Sequence, residues 1–165
     1  MKINKVICLT FMLIISISGY QTMAQNTGTI TIPAGGNSFL LTRNSSGEDM
    51  PEMLKSPNDV KLYFFRTDKD CVLDLTVILS VPEGKSRIRV SAGKKNFNLD
   101  ISGKEMQRVH IGKVKVEKGY VRIEFRGIKK KGPVFAVLSD LEVQSEMLGL
   151  SLAYVKDNID NRFYW

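Results

Sequence analysis

The chain has 165 residues, with 24 Lys and Arg against 17 Asp and Glu for a formal charge of +7, two Cys and one His. At roughly 100 to 200 residues per domain this is one domain's worth, and a two-domain enzyme is nearly excluded. An apolar fraction of 43% with 25% charged residues fits an ordinary globular chain and excludes both global disorder and a multi-span membrane protein.

Residues 1–24 read as a secretory signal: Lys2 and Lys5, an apolar run over 6–17, then a polar stretch ending Thr22, Met23, Ala24. The run is shorter than the roughly 20 residues a spanning helix needs. Cleavage is expected between Ala24 and Gln25, which places the mature chain in the periplasm, at the cell surface or outside the cell, with no membrane span. Removal takes Cys8 and two lysines, leaving 22 basic residues against 17 acids, a charge of +5, and Cys71 as the one remaining cysteine. No intrachain disulfide is then available, and Cys71 is expected to be a buried small apolar group.

A period of two runs along the mature chain. The first stretches, 29–32, 38–42 and 61–67, carry it loosely. Cys71, Leu73, Leu75, Val77, Leu79 and Val81 form an unbroken odd-numbered apolar series, placing Cys71 on the inward face of a strand. Ile88, Val90 and Ala92 oppose Arg87, Arg89 and Ser91, and Phe97, Leu99 and Ile101 oppose Asn96, Asn98 and Asp100. Gly93 and Lys94 lie between them at a hairpin turn. Val121, Ile123 and Phe125 oppose Arg122, Glu124 and Arg126; looser strands follow from 109–116 and 134–143. Turn residues fall at 33–37, 56–58, 82–84, 102–104 and 131–133. About nine strands with this punctuation predict an all-β, antiparallel β-sandwich or jelly roll, with a closed barrel second. Residues 43–59 form the longest irregular stretch, a loop with an acidic bias.

Basic residues concentrate between 85 and 131, where 15 Lys and Arg meet four acids for a local balance of +11. A nucleic-acid surface would need stacking aromatics on the same face. Phe97 and Phe125 fall on the apolar side and Tyr120 alone does not, so no nucleic-acid partner is expected. The favoured reading is a solvated sheet face whose cations discourage edge pairing, with an anionic polysaccharide or a membrane surface as the alternative.

No catalytic constellation is apparent. His110 is the single histidine and is expected to be a plain strand residue, and no nucleophile elbow occurs. With Cys8 gone, a His/Cys zinc site is unavailable, and no metal or other cofactor is expected. Structural calcium has only Asp157, Asn158, Asp160 and Asn161 to suggest it, without the Gly and Glu of an EF-hand loop. A glycoside hydrolase needs just two carboxylates, for which Asp74 and Asp140 are the candidates. Sugar-binding modules stack a ring on an exposed aromatic; Tyr63, Tyr120 and Trp165 are the candidate platforms, and Tyr63 could face either layer because Leu62 and Phe64 flank it.

Several segments carry a resemblance: IPAGGNSFLLT at 32–42, SPNDVKLYFFR at 56–66, VPEGKSRIRVSAGKKNFNLDISG at 81–103, VHIGKVKVEKGYVRIEFRG at 109–127 and SDLEV at 139–143. Together they resemble an uncharacterised domain at the N-terminus of secreted Bacteroidetes proteins, where a larger C-terminal domain of unknown function follows. The resemblance implies a galactose-binding-like β-sandwich in proteins linked to glycan use. The expected organisation is a signal peptide over 1–24, a sandwich over 25–145 and a tail over 146–165 resembling the start of a missing following domain. The expected function is an exported, noncatalytic carbohydrate-binding-like module accessory to glycan processing, with a polysaccharide or oligosaccharide as partner. The alternatives are an interaction domain docking through its tail on a separately encoded downstream-domain protein and, less favoured, the two-carboxylate hydrolase.

Overall fold

The computed structural model describes residues 27–41 and 52–156. The expected leader over 1–24 with its expected Ala24/Gln25 cleavage point, Trp165 and the 157–161 cluster lie outside the described residues. The elements in chain order are β1 (Thr27–Pro33), a four-residue helical turn α1 (Ala34–Asn37), β2 (Ser38–Leu41), β3 (Met53–Leu54), β4 (Val60–Thr67), β5 (Cys71–Ala92), β6 (Lys95–Val116), β7 (Gly119–Lys131), β8 (Ala136–Leu148) and β9 (Leu152–Ala153). All strand pairs are antiparallel, and the described residues form nine strands, as the alternation predicts.

The β5–β6 hairpin organises the molecule. Each of its strands is 22 residues long, about four times the usual strand. The first part of β5 pairs with β8 (Asp74 with Gln144 through Ser80 with Val137), and its second part pairs with β7 (Lys85 with Lys131 through Ala92 with Ile123). One hairpin thus serves two layers: β1, β8 and the first half of β5 in layer one, and β2, β4, β7 and the second half of β5 in layer two. β6 flanks β5 in both.

Turn residues at 82–84 and 102–104 therefore do not end strands. They mark the corner where the ladder slips its register, with Val81 opposite Gly103 and Lys85 opposite Ser102. Gly84 makes the corner, at φ 79°, and an added Cβ would lie 1.5 Å from the Lys131 carbonyl oxygen. Irregularities of this kind bend a strand and increase its twist without ending it. Proline and glycine in the sequence report the irregularity, and long-range pairing decides whether the strand goes on.

The core lies between the layers. Leu73, Leu75, Val77 and Leu79 of layer one meet Tyr63, Phe65, Ile88, Val90, Ile123 and Phe125 of layer two, all fully buried. Cys71 is buried and free, on the inward face its odd-numbered series predicts. Burial raises its thiol pKa, against a weaker lowering effect from the Thr67 hydroxyl 3.6 Å away.

The sandwich also extends past residue 145. Ser145 is buried and donates its hydroxyl to the Val72 carbonyl at 2.9 Å, Leu150 is buried in the core, and β9 pairs with Arg66 and Thr67 of β4. Tyr154 packs against the same core. The first part of the expected tail is thus bound to its own sheet, because Leu150, Leu152 and Tyr154 supply apolar surface that the end of β4 can cover.

Candidate functional site

The outer face of layer two is built from the residues that alternate with the core. Register places them in rungs across β6, β5, β7 and β4: Asn98, Arg89, Arg126 and Val60 in one, and Asn96, Ser91, Glu124 and Leu62 in the next. Beyond these, Arg122 lies beside Phe64, and Tyr120 lies beside Arg66.

At the Tyr120 end, a groove of about 780 Å³ opens between the hairpin tip, the end of β6 and the start of β7. Gly93, at φ 55°, turns the tip toward the last residues of β6, and Lys95 donates to the Lys113 carbonyl at 3.0 Å across it. Ser91, Lys94, Lys115, Lys118, Arg122 and Glu124 line the groove around Tyr120. Tyr120 is 56% exposed, and the Arg66 guanidinium carbon stands 5.9 Å from its ring centroid. Tyr120 is the one exposed aromatic among the described residues. Of the two acids that line the groove, Glu124 is held by Arg126 at 2.5 Å, with Arg122 at 3.9 Å, and Glu117 is exposed.

Tyr63 does not form a platform. It is fully buried, edge to face against Phe125 with centroids 5.5 Å apart. Its partner in register is Ile123, an inward residue, which settles the orientation that neighbouring Leu62 and Phe64 left open. Its phenol pKa is raised by burial first, then by the charges of Asp140 and Glu52.

The two candidate hydrolase carboxylates are not brought together. Asp74 pairs with Gln144 and Asp140 with Ile78, four ladder positions along the same strand pair. That is roughly 13 Å of strand, more than the about 5 to 9.5 Å a catalytic carboxylate pair spans. Asp74 instead lies 2.6 Å from His110 Nε2 and 3.9 Å from Lys113, while Asp140 accepts from Ser139. His110 is thus an exposed strand residue on the outer face of layer one. Among the described residues no group of three or more His, Cys, Asp or Glu could hold a metal ion, and no helix is long and apolar enough to cross a membrane.

Comparison with solved structures returns the same architecture. A CBM36 domain of a multidomain xylanase from the hindgut metagenome of Trinervitermes trinervoides superposes with a TM-score of 0.57 at 16% identity, covering 73% of this chain and 100% of that one. The CBM35 of Cellvibrio japonicus Abf62 gives 0.55 at 9% identity, covering 76% and 96%. The GH26-CBM35 β-(1,4)-mannanase of Podospora anserina gives 0.55 at 14% identity over 73% of this chain, which spans only 28% of that mannanase chain. No curated protein matches in sequence. Residues 32–148 match the family described as a domain of unknown function, DUF5077, and the chain belongs to that family.

Proposed function

We propose that the protein is an exported, noncatalytic carbohydrate-binding-like module that takes a polysaccharide or oligosaccharide in the groove of Tyr120. The observation that carries this reading is the placement of an exposed aromatic ring on the wall of a groove of about 780 Å³, among hydroxyl, amine and guanidinium donors. An apolar ring face covers the C–H surface of a sugar while neighbouring donors satisfy its hydroxyls, the usual division of labour in a ligand site. Architecture shared with proteins named as carbohydrate-binding modules supports the reading, as does the leader-like segment over 1–24. Separation of Asp74 from Asp140, and the partners each already has, favours binding over hydrolysis.

The test is a glycan array followed by calorimetry with the folded chain and its Tyr120→Ala variant. Saturable binding to at least one polysaccharide, weakened in the variant, is expected. Uniform absence of binding by a chain shown to be folded overturns the proposal.

A further inference from the structure

Charge on the outer face of layer two is arranged against its own stability. Three successive rungs between β5 and β7 pair like with like: Lys85 faces Lys131, Arg87 faces Lys129, and Arg89 faces Arg126. Like charges directly opposite on one face of an antiparallel pair are destabilising. Among the described residues, two acids answer them on this face. Asp100 takes Arg87 through two hydrogen bonds of 2.7 and 2.8 Å, which together with the guanidinium charge hold its carboxyl below the usual range. Glu124 takes Arg126 and Arg122. Lys85, Arg89, Lys129 and Lys131 make no ion pair among the described residues.

Protection of a sheet edge, the reading that composition favours, accounts for only part of these cations. β5 lies between β6 and β7, and β7 lies between β5 and β4 as far as Arg126, so Lys85, Arg87, Arg89 and Arg126 have no open edge to guard, whereas Lys129 and Lys131 lie on the end of β7 past its pairing with β4. β6, an edge strand that pairs with β5 alone, carries lysines of its own at 95, 104, 113 and 115. A second groove, of about 370 Å³, opens at the Lys85 end and is lined by Lys85, Arg87, Lys129, Lys130 and Lys131 with Asp100 and Ser102. It shares its face with the Tyr120 groove, and the Arg89–Arg126 rung joins the two. From Lys131 to Tyr120 the track runs roughly 35 Å at the rise of an extended strand, the dimension of an extended chain and not of a single ring.

We propose that this face binds an acid-bearing polysaccharide, with carboxylate or sulfate groups along the Lys85–Lys131, Arg87–Lys129 and Arg89–Arg126 rungs and a sugar ring at Tyr120. The proposal rests on the carbohydrate-binding reading above and names its ligand class. Bound anions would remove the repulsion between facing cations, which is why the ligand must be polyanionic and periodic. Asn96, Asn98 and Ser102 of β6 border the track, Ser91 continues it along β5, and these residues offer amide and hydroxyl groups to sugar hydroxyls. A single-stranded nucleic acid needs successive stacking aromatics, and the track exposes Tyr120 alone.

The experiment measures binding of polygalacturonate, of its methyl-esterified neutral form, of a single-stranded oligonucleotide and of phosphatidylglycerol vesicles. The wild-type chain is compared with Arg89→Glu and Lys129→Glu. Polygalacturonate is expected to bind at least tenfold tighter than the ester, and each charge reversal to weaken it about tenfold or more, as does raised salt, through lost counterion release and screening. Each reversal places an acid opposite a guanidinium, so the melting temperature is expected to rise by about 1–3 °C while binding falls. Equal affinity for acid and ester, or unchanged binding in both variants, overturns the proposal. So does tighter binding of the oligonucleotide or the vesicles than of polygalacturonate. Loss of this proposal with neutral glycans still bound leaves the carbohydrate-binding reading standing; no glycan bound at all removes both.

Discussion

Tyr63 and Phe125 meet edge to face inside the sandwich, ring centroids 5.5 Å apart at 66°, and the Tyr63 hydroxyl has no hydrogen-bond partner among the described residues. An unpartnered buried hydroxyl costs about 1 to 3 kcal/mol of desolvation. Tyr63→Phe keeps the ring contact and removes that cost, so denaturant unfolding should show a variant as stable as wild type or up to about 2 kcal/mol more stable.

The same residue sets an alkaline limit. Because burial raises the Tyr63 pKa above its value in the unfolded chain, its contribution is complete below about pH 10 and declines as pH rises further. Above that point the unfolded chain releases the phenolic proton while the folded chain retains it. Unfolding curves measured between pH 9 and 11 should fall more steeply for wild type than for Tyr63→Phe.

Asp59 is buried at the start of β4, and its Oδ2 accepts from the backbone N–H groups of Lys55 at 2.8 Å and Ser56 at 2.7 Å. It closes the turn that the Ser56–Pro57–Asn58 run begins, where the chain enters β4 from β3. Asp59→Ala leaves two half-buried donors without their carboxylate and should cost about 1–3 kcal/mol in chemical unfolding, whereas Asp59→Asn retains one acceptor oxygen and should cost about half as much.

Gly84 turns the corner at which β5 leaves layer one for layer two. Alanine there meets both a positive φ and the Lys131 carbonyl oxygen, so Gly84→Ala should lose about 3 kcal/mol or more, read as a drop in melting temperature. The equivalent change at Gly119, whose added Cβ meets nothing within 4 Å, carries the backbone strain alone and should be the milder of the two.

Tyr120→Ala should weaken saccharide binding by about tenfold, near 1.4 kcal/mol, while leaving thermal stability within about 0.5 kcal/mol because the side chain is exposed. Tyr120→Trp should retain binding. Cys71 gives a folded-state control for every variant: with its thiol buried and its pKa raised, it should label slowly with a thiol reagent in native buffer and fully in denaturant.

Alternation made much of this architecture legible in the residues themselves. Where one face is buried and the other wet, as in the Cys71–Val81 series or Arg87 through Ala92, each side chain's orientation follows from strand geometry before any partner strand is known. In β4 the rule gives no answer, since Leu62, Tyr63, Phe64 and Phe65 are apolar on both sides; pairing with Ile123 turned Tyr63 inward and left Tyr120 as the exposed ring. Local residues likewise marked 82–84 and 102–104 as irregular, but continuity of the hairpin through that corner depended on β7 and β8 each pairing with half of β5.

Charge divides in the same way. The basic excess over 85–131 belongs to the composition, and so does the placement of Arg87 and Arg89 on a wet face. That Lys131, Lys129 and Arg126 stand directly opposite cations is a matter of register between strands some forty residues apart. Strand period sets which face a side chain occupies, whereas long-range pairing sets its neighbours, and the repulsive rungs exist only at that second level.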